Sequence, residues 1–237
     1  MELSQRLRKV ADRVPEGAVL ADIGTDHGRL PVWLMEQGRI SEAFACDVRP
    51  GPLSRARELI LEQGLSDRIH PVLSDGMEAL EPGKITAVTI AGMGGRLTAR
   101  ILLADRERKP GILCGLTDLI LQPQSDLDAV REYLHRTGFV IVQEEMVFEE
   151  GKYYPMMKAV HGENTDDRKI WFLYGRLLLE NRHPVLESYL QKEYDSCCKL
   201  LEKLSKTATE VASRRCEELL EKKHLIEEAL AFYREDT

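Results

Sequence analysis

Apolar residues at Leu3, Leu7, Val10, Ala11 and Val14 recur at helical spacing and stop before Pro15 and Gly17, so the chain opens with an amphipathic helix whose apolar face needs a sheet to cover. Short apolar runs then alternate with segments of helical period. The pattern predicts strand 18–23, helix 29–37, strand 42–47, helix 52–64, strand 69–73, a short helix near 76–80 and strand 85–91. Helix 95–103, strand 116–121, helix 125–137 and strand 139–146 continue the series. Strands separated by helices of roughly ten residues specify parallel βαβ units with right-handed crossovers, hence a doubly wound, Rossmann-like α/β sheet.

The alternation breaks after Phe139-Val140-Ile141-Val142. Only an acidic turn around Glu149-Glu150-Gly151-Lys152 separates that run from Tyr154–Val160, and two strands so closely linked form an antiparallel hairpin. A parallel sheet finished by a C-terminal antiparallel strand is the arrangement of methyltransferases rather than of dinucleotide dehydrogenases, a likeness of fold and not of activity. Beyond His161-Gly162 the composition changes. Asp166 to Arg182 carries Ile170, Trp171, Leu173, Tyr174, Leu177 and Leu178 at helical spacing, and no glycine or proline occurs from Val185 to Phe232. Leu186, Leu190, Tyr194, Cys197, Leu201 and Leu204 form one apolar stripe; Ala212, Cys216, Leu219, Ile226, Leu230 and Tyr233 form a second. The registers do not join, and Thr207-Ala-Thr-Glu210 is a capping-box sequence, so two antiparallel helices are expected. The alternative is one helix of roughly 70 Å with its stripe covered by a partner chain. The expected domains are therefore 1–162, catalytic, and 163–237, a helical coiled-coil hairpin.

With 237 residues, 43% of them hydrophobic, the chain can bury a sizeable core. It has no apolar stretch of membrane-spanning length and no signal-peptide core at Met1-Glu2-Leu3, so a cytoplasmic protein is expected. Cysteines 46, 114, 197, 198 and 216 are odd in number and lack a Cys-x-x-Cys pair, which suggests neither a disulfide framework nor a zinc site. The net charge of −7 is spread over both parts, with 20 basic against 24 acidic residues in 1–162 and 13 against 16 in 163–237. Any nucleic-acid surface must then be a local patch. Arg6, Lys9 and Arg13 on one face of the first helix are the best candidate, with a solvated polar face as the plainer reading.

Three acidic residues close three successive strands: Asp22, Asp47 and, in Ser74-Asp75-Gly76, Asp75. That series suits a ligand with a cationic or hydroxyl-rich body, such as S-adenosylmethionine, better than one carrying a pyrophosphate. Asp22-Ile-Gly24-Thr-Asp26-His27-Gly28 follows the first strand; Gly24 lets backbone approach the ligand, the next helix offers N–H groups to a carboxylate, and Asp22 suits an ammonium group. Asp47 suits two ribose hydroxyls, which does not discriminate among nucleotides. Asp75 with Gly76 can accept from the exocyclic amine of adenine, although an N-cap or Asx turn would use the same residue. At the fourth strand end, Gly92 and Gly94-Gly95 let main chain press against ligands, and Met93 offers a polarizable contact; a plain flexible turn is the alternative. Leu121-Gln122-Pro123 faces the same cleft.

Taken together, Ala21-Asp-Ile-Gly-Thr-Asp-His27, Asp47-Val-Arg-Pro-Gly-Pro-Leu53, Ser74-Asp-Gly76, Ile90-Ala-Gly-Met-Gly-Gly95 and Leu119-Ile-Leu-Gln-Pro123 resemble the bacterial tRNA methyltransferases that modify N1 of adenine 22. The resemblance is dense over about the first 160 residues and loose over the helical tail. It implies a class I methyltransferase fold with a C-terminal coiled coil, S-adenosylmethionine as methyl donor and tRNA as acceptor. Asp26 stands where many class I enzymes have a second glycine, and the Asn-Pro-Pro-Tyr motif of exocyclic-amine methylases is replaced by Ala91 to Gly95. N1 needs no such motif, because its lone pair attacks without first losing a proton. Asp26 is then the candidate to stabilise the ring as it becomes cationic, with His27 as a donor to the cofactor or a proton shuttle. Arg6, Lys9, Arg13, Arg96 and Arg100 are the candidate tRNA contacts. No metal is expected, and a monomer is expected, with a dimer through the helical part left open. A small-molecule methyltransferase and a non-catalytic RNA-binding protein that keeps the cofactor are the competing readings.

Overall fold

The computed structural model describes residues 1–108, 110–164, 166–205 and 210–234. The chain divides into two compact units, Met1–Asp166 and Asp167–Thr237.

The first unit is built on β1 (Ala18–Ile23), β2 (Ile40–Asp47), β3 (Ile69–Leu73), β4 (Ala87–Met93), β5 (Asp118–Pro123), β6 (Phe139–Glu149) and β7 (Lys152–His161). They form one sheet in the order β3-β2-β1-β4-β5-β7-β6. The first five are parallel, while β7 runs antiparallel to both β5 and β6. Strand order reverses between β1 and β4, the switch point at which open α/β sheets bind ligands. Side chains alternate between two cores. Leu20, Ala43, Ala87 and Ile120 pack under α1 (Gln5–Ala11), α2 (Arg29–Glu36) and α3 (Pro50–Glu62). Their neighbours Ala21, Val88, Leu119 and Leu121 pack under α4 (Gly95–Glu107) and α5 (Leu127–Arg136). Both faces are thus covered, which is why the central strands read as unbroken apolar runs. The Ser4 hydroxyl caps α1 by accepting from Leu7 N–H at 3.3 Å.

The short helix expected near 76–80 is a turn. Gly76 sits at φ +58°, outside the right-handed helical region, while Glu78 N–H bonds the Asp75 carbonyl and Ala79 N–H bonds the Ser74 hydroxyl. β4 and β5 begin two residues later than the pattern predicts, because Thr86 makes a corner: its N–H and hydroxyl bond Val19, and its carbonyl accepts from Thr117 and Asp118.

In the second unit, the apolar series expected as one helix from 166 to 182 is split into α6 (Lys169–Tyr174) and α7 (Arg176–Glu180) by Gly175 at φ +90°. α8 (Pro184–Leu204) and α9 (Glu210–Ala231) pair through Leu186, Leu190 and Cys197 on one and Ala212, Leu219, Ile226 and Ala229 on the other, all buried. The Tyr233 hydroxyl donates to the His183 carbonyl, Lys222 pairs with Glu193, and Tyr194 reaches Glu227. Numbers fall in one helix as they rise in the other, so the two are antiparallel, as expected of a hairpin. The capping residues Thr207 to Thr209 lie outside the described residues.

Candidate active site

The carboxyl ends of β1, β2 and β4 and the turn after β3 converge on a cleft of about 600 Å³. Asp22 lies in β1 between β2 and β4, with Thr89 opposite it in register, and the Thr89 hydroxyl donates to Asp22 Oδ1 at 2.6 Å. Burial pushes the Asp22 carboxyl above its ordinary value; the Thr89 and Thr25 hydroxyls pull it back, and the nearby Asp47 charge adds to the rise. The Thr25 hydroxyl is buried beside the same carboxylate, to which it lends a weaker, less well-aligned interaction than Thr89 does. A desolvated carboxylate with hydroxyl partners but no cation is unfavourable until a polar, preferably cationic, ligand joins it.

The loop that carries Thr25 is tied down by Gly24 and Thr25 N–H groups, both 2.8 Å from the Cys46 carbonyl of β2. Gly24 is at φ +74°, and a Cβ there would lie 2.1 Å from the Met93 methyl, so the wall between β1 and β4 closes only around a glycine. Asp26 also takes a left-handed conformation, at φ +55°. Aspartate tolerates that region better than most residues, which explains how it replaces a glycine here. Its exposed carboxylate is 3.5 Å from His27 Nε2. Both residues line the cleft, as does the open first turn of α2 at Arg29 and Leu30.

Asp47 is buried at the end of β2, where it lines the cleft; its Oδ1 accepts from Arg49 N–H at 2.9 Å and lies 3.6 Å from the Arg49 guanidinium. Between the two carboxylates, burial pushes the Cys46 thiol up to about 12, so it remains protonated and is no nucleophile. The Asp75 side chain makes no hydrogen bond or ion pair among the described residues and lines the cleft with Gly76. All the predicted cofactor residues, Asp22, Gly24, His27, Asp47, Asp75, Gly76, Gly92 and Met93, are brought together here.

At the β4 end the wall is assembled from distant parts of the chain. Gly92, at φ +80°, sits at a register shift between β4 and β5. The fully buried Gln122 Oε1 accepts from Gly92 N–H at 3.2 Å and from Arg6 Nη1 at 2.8 Å. The Arg6 guanidinium lies 5.5 Å from the Tyr154 ring centre, and Glu149 accepts from the N–H groups of Gln5 and Arg6.

The predicted tRNA contacts separate. Arg6 and Arg100 line the cleft, whereas Lys9, Arg13 and Arg96 do not. The first helix ends at Ala11, so Arg13 lies in the turn beyond it; Lys9 and Arg13 both pair with Glu145 of β6, at 3.2 and 3.6 Å, and form no free basic patch. Burial pulls the Arg13 guanidinium below its ordinary value, against the opposing attraction of Glu145. Arg96 is almost fully exposed while paired with Asp126 at 2.9 Å. Arg29 and Arg49, which sequence reasoning passed over, join Arg100 at the cleft mouth; the Arg29 and Arg100 side chains make no hydrogen bond or ion pair among the described residues. Thr89 and Gln122 carried a legible signal, being polar residues inside apolar strand runs. Tyr154 and Glu149 carried none. Among the described residues, no group of three His, Cys, Asp or Glu side chains could hold a metal, and no helix is long and apolar enough to cross a membrane.

A family model described as a methyltransferase domain matches residues 3–157. The tRNA (adenine(22)-N(1))-methyltransferase of Bacillus subtilis is 32% identical over 236 residues, spanning 97% of this chain and 98% of that relative. Among solved structures, the B. subtilis m1A22 tRNA methyltransferase superposes with a TM-score of 0.85 at 32% identity, covering 97% of this chain and 99% of that one. Streptococcus pneumoniae Sp1610, solved in complex with S-adenosyl-L-methionine, does so with a TM-score of 0.85 at 34% identity, covering 97% and 100%.

Proposed function

The chain belongs to the family of tRNA (adenine(22)-N(1))-methyltransferases, and on that premise we propose that its cleft transfers a methyl group from S-adenosylmethionine to N1 of adenine 22 in bacterial tRNA. One observation carries the reading: three carboxylates at the ends of adjacent strands, Asp22 buried with only hydroxyl partners, Asp47 and Asp75, face a single cleft at the switch point of the sheet. When bound, S-adenosylmethionine supplies a methyl group on a positively charged sulfur, an electrophile that a ring nitrogen can take up directly. Asp22 and Thr25 are suited to its ammonium group, the open turn of α2 to its carboxylate, Asp47 to the ribose hydroxyls, and Asp75 to the adenine amine. Gly24, Gly76 and Gly92 keep side chains out of that space, and Met93 packs against the wall.

For the acceptor, N1 lies on the Watson–Crick edge, so the base must be unpaired or extruded before it reaches the cleft. As N1 is alkylated the ring becomes cationic, and the exposed carboxylate of Asp26 stabilises that charge more than the neutral ground state. Arg29 and Arg100 offer phosphate contacts around the mouth, and Arg49, Arg96, Lys9 and Arg13, committed to Asp47, Asp126 and Glu145, offer less. A tRNA substrate assigns the enzyme to the cytoplasm. It acts as a monomer in this reading, since α8 and α9 cover each other's stripes.

The test is incubation with unmodified bacterial tRNA and labelled S-adenosylmethionine, nucleoside digestion, and mapping by primer extension. One-methyladenosine confined to position 22 is expected. Cofactor binding without RNA methylation would redirect the reading to a small-molecule acceptor or to a binding role.

A further inference from the structure

Arg6 is the least explained charge in the cleft. It is half-buried, yet it forms no ion pair among the described residues, and the carboxylate of Glu149 engages its backbone rather than its guanidinium. The guanidinium is instead held by neutral partners: Gln122 Oε1 at 2.8 Å and the face of Tyr154 at 5.5 Å. Gln122 is fully buried and binds Gly92 N–H with the same oxygen, so Arg6 is fixed to the bulged end of β4. A Cβ on Gly92 would sit 3.8 Å from Arg6 Nη1, which places the charge against the glycine stretch where acceptor and methyl group must meet.

A half-buried cation kept free of carboxylates while its orientation is fixed is arranged for an anion that is not part of the protein. The adenine ring is a poor match, since it gains positive charge during the reaction and a guanidinium facing it would oppose that change. The phosphodiester next to the target nucleotide stays anionic throughout, and its oxygens fit the fork of a guanidinium. Building on the proposed function, we infer that Arg6, oriented by Gln122 and Tyr154, is a substrate-positioning residue that grips a phosphodiester flanking the extruded adenosine. This role differs from the diffuse phosphate attraction of Arg29 and Arg100: it acts at one phosphate and sets the approach of N1.

The test is a chemical double-mutant cycle. Unmodified tRNA is assembled with one uncharged methylphosphonate, placed either 5′ or 3′ of adenosine 22, and with a control substitution in a distant stem. The wild-type enzyme should lose about 30-fold in kcat/KM with one of the two flanking substitutions, and Arg6→Met should lose about as much with unsubstituted tRNA. Arg6→Met should then lose no more than about 2-fold further on that same substituted tRNA, because the partner is already gone. Gln122→Met, which keeps the guanidinium but frees it, should give an intermediate loss, mostly in kcat. S-adenosylmethionine affinity should be unchanged in both variants. Wild-type indifference to both flanking methylphosphonates overturns the assignment, as do losses that simply multiply. If wild type methylates no unmodified tRNA at all, the proposed function fails rather than the role of Arg6.

Discussion

The two ends of the cleft are built differently. The cofactor end uses short side chains at the ends of adjacent strands, Asp22, Asp47 and Asp75, each held within a residue or two of the ladder that places it. The acceptor end borrows long side chains from elements far apart in the chain: Arg6 from α1, Gln122 from β5 and Tyr154 from β7. A site made from strand ends is fixed by the backbone; one made from long side chains is fixed only by the bonds among them. Changes at the first end should therefore damage cofactor affinity, and changes at the second should damage use of tRNA while cofactor affinity survives.

The largest effect expected is from Gly24→Ala, which forces a side chain into a left-handed position and onto Met93. Calorimetry should show a loss of about 100-fold in S-adenosylmethionine affinity. Asp22→Asn comes next, with a loss of roughly 30-fold at pH 8. Its pH behaviour sharpens the contrast. Because burial holds the Asp22 pKa above its unfolded value, the free protein loses stability as pH rises from the ordinary carboxyl range through the raised value, and cofactor affinity gains over that window. Asp22→Asn should flatten the affinity profile and raise the melting temperature of the free protein at neutral pH. A lower melting temperature would contradict the burial argument.

Asp26→Gly removes the carboxylate and relieves the φ +55° backbone at once. It should lower kcat about 10-fold with cofactor affinity within about 2-fold of wild type; equal losses in both would make Asp26 a cofactor residue. Replacing Arg29, Arg49 and Arg100 by glutamine should raise KM for tRNA about 5-fold and reduce its salt dependence by two to three phosphate contacts, roughly. An unaltered slope would remove the cleft mouth from the RNA interface. The smallest effect belongs to Lys9→Gln: about 0.5 kcal/mol of stability, from the pair with Glu145, and no change in KM for tRNA.

The same contrast governs what the sequence discloses. Short apolar runs ending in acidic residues locate the strand ends, so Asp22, Asp47 and Asp75 were legible together with the parallel sheet and its final hairpin. Glycine conformations were less so: Gly76 turns an expected helix into a turn and Gly175 cuts another in two, because a positive φ leaves no mark on hydrophobic periodicity. The cations of α1 were least legible. Arg6, Lys9 and Arg13 are spaced as one helical face, yet only the packing of α1 and the turn after it against β6 decides that Glu145 takes two of them while Arg6 turns into the cleft. Long-range partners of long side chains are set by tertiary structure, and local spacing carries no record of them.

The division of the cleft is tested most directly by measuring S-adenosylmethionine affinity and single-turnover methylation of unmodified tRNA on the same preparations of Asp47→Ala and Gln122→Met. Asp47→Ala should bind cofactor weakly and recover methylation when cofactor is saturating, whereas Gln122→Met should bind cofactor like wild type and stay slow at any cofactor concentration. Recovery of Gln122→Met by added cofactor, or failure of Asp47→Ala to recover, would contradict a cleft with separate cofactor and acceptor ends.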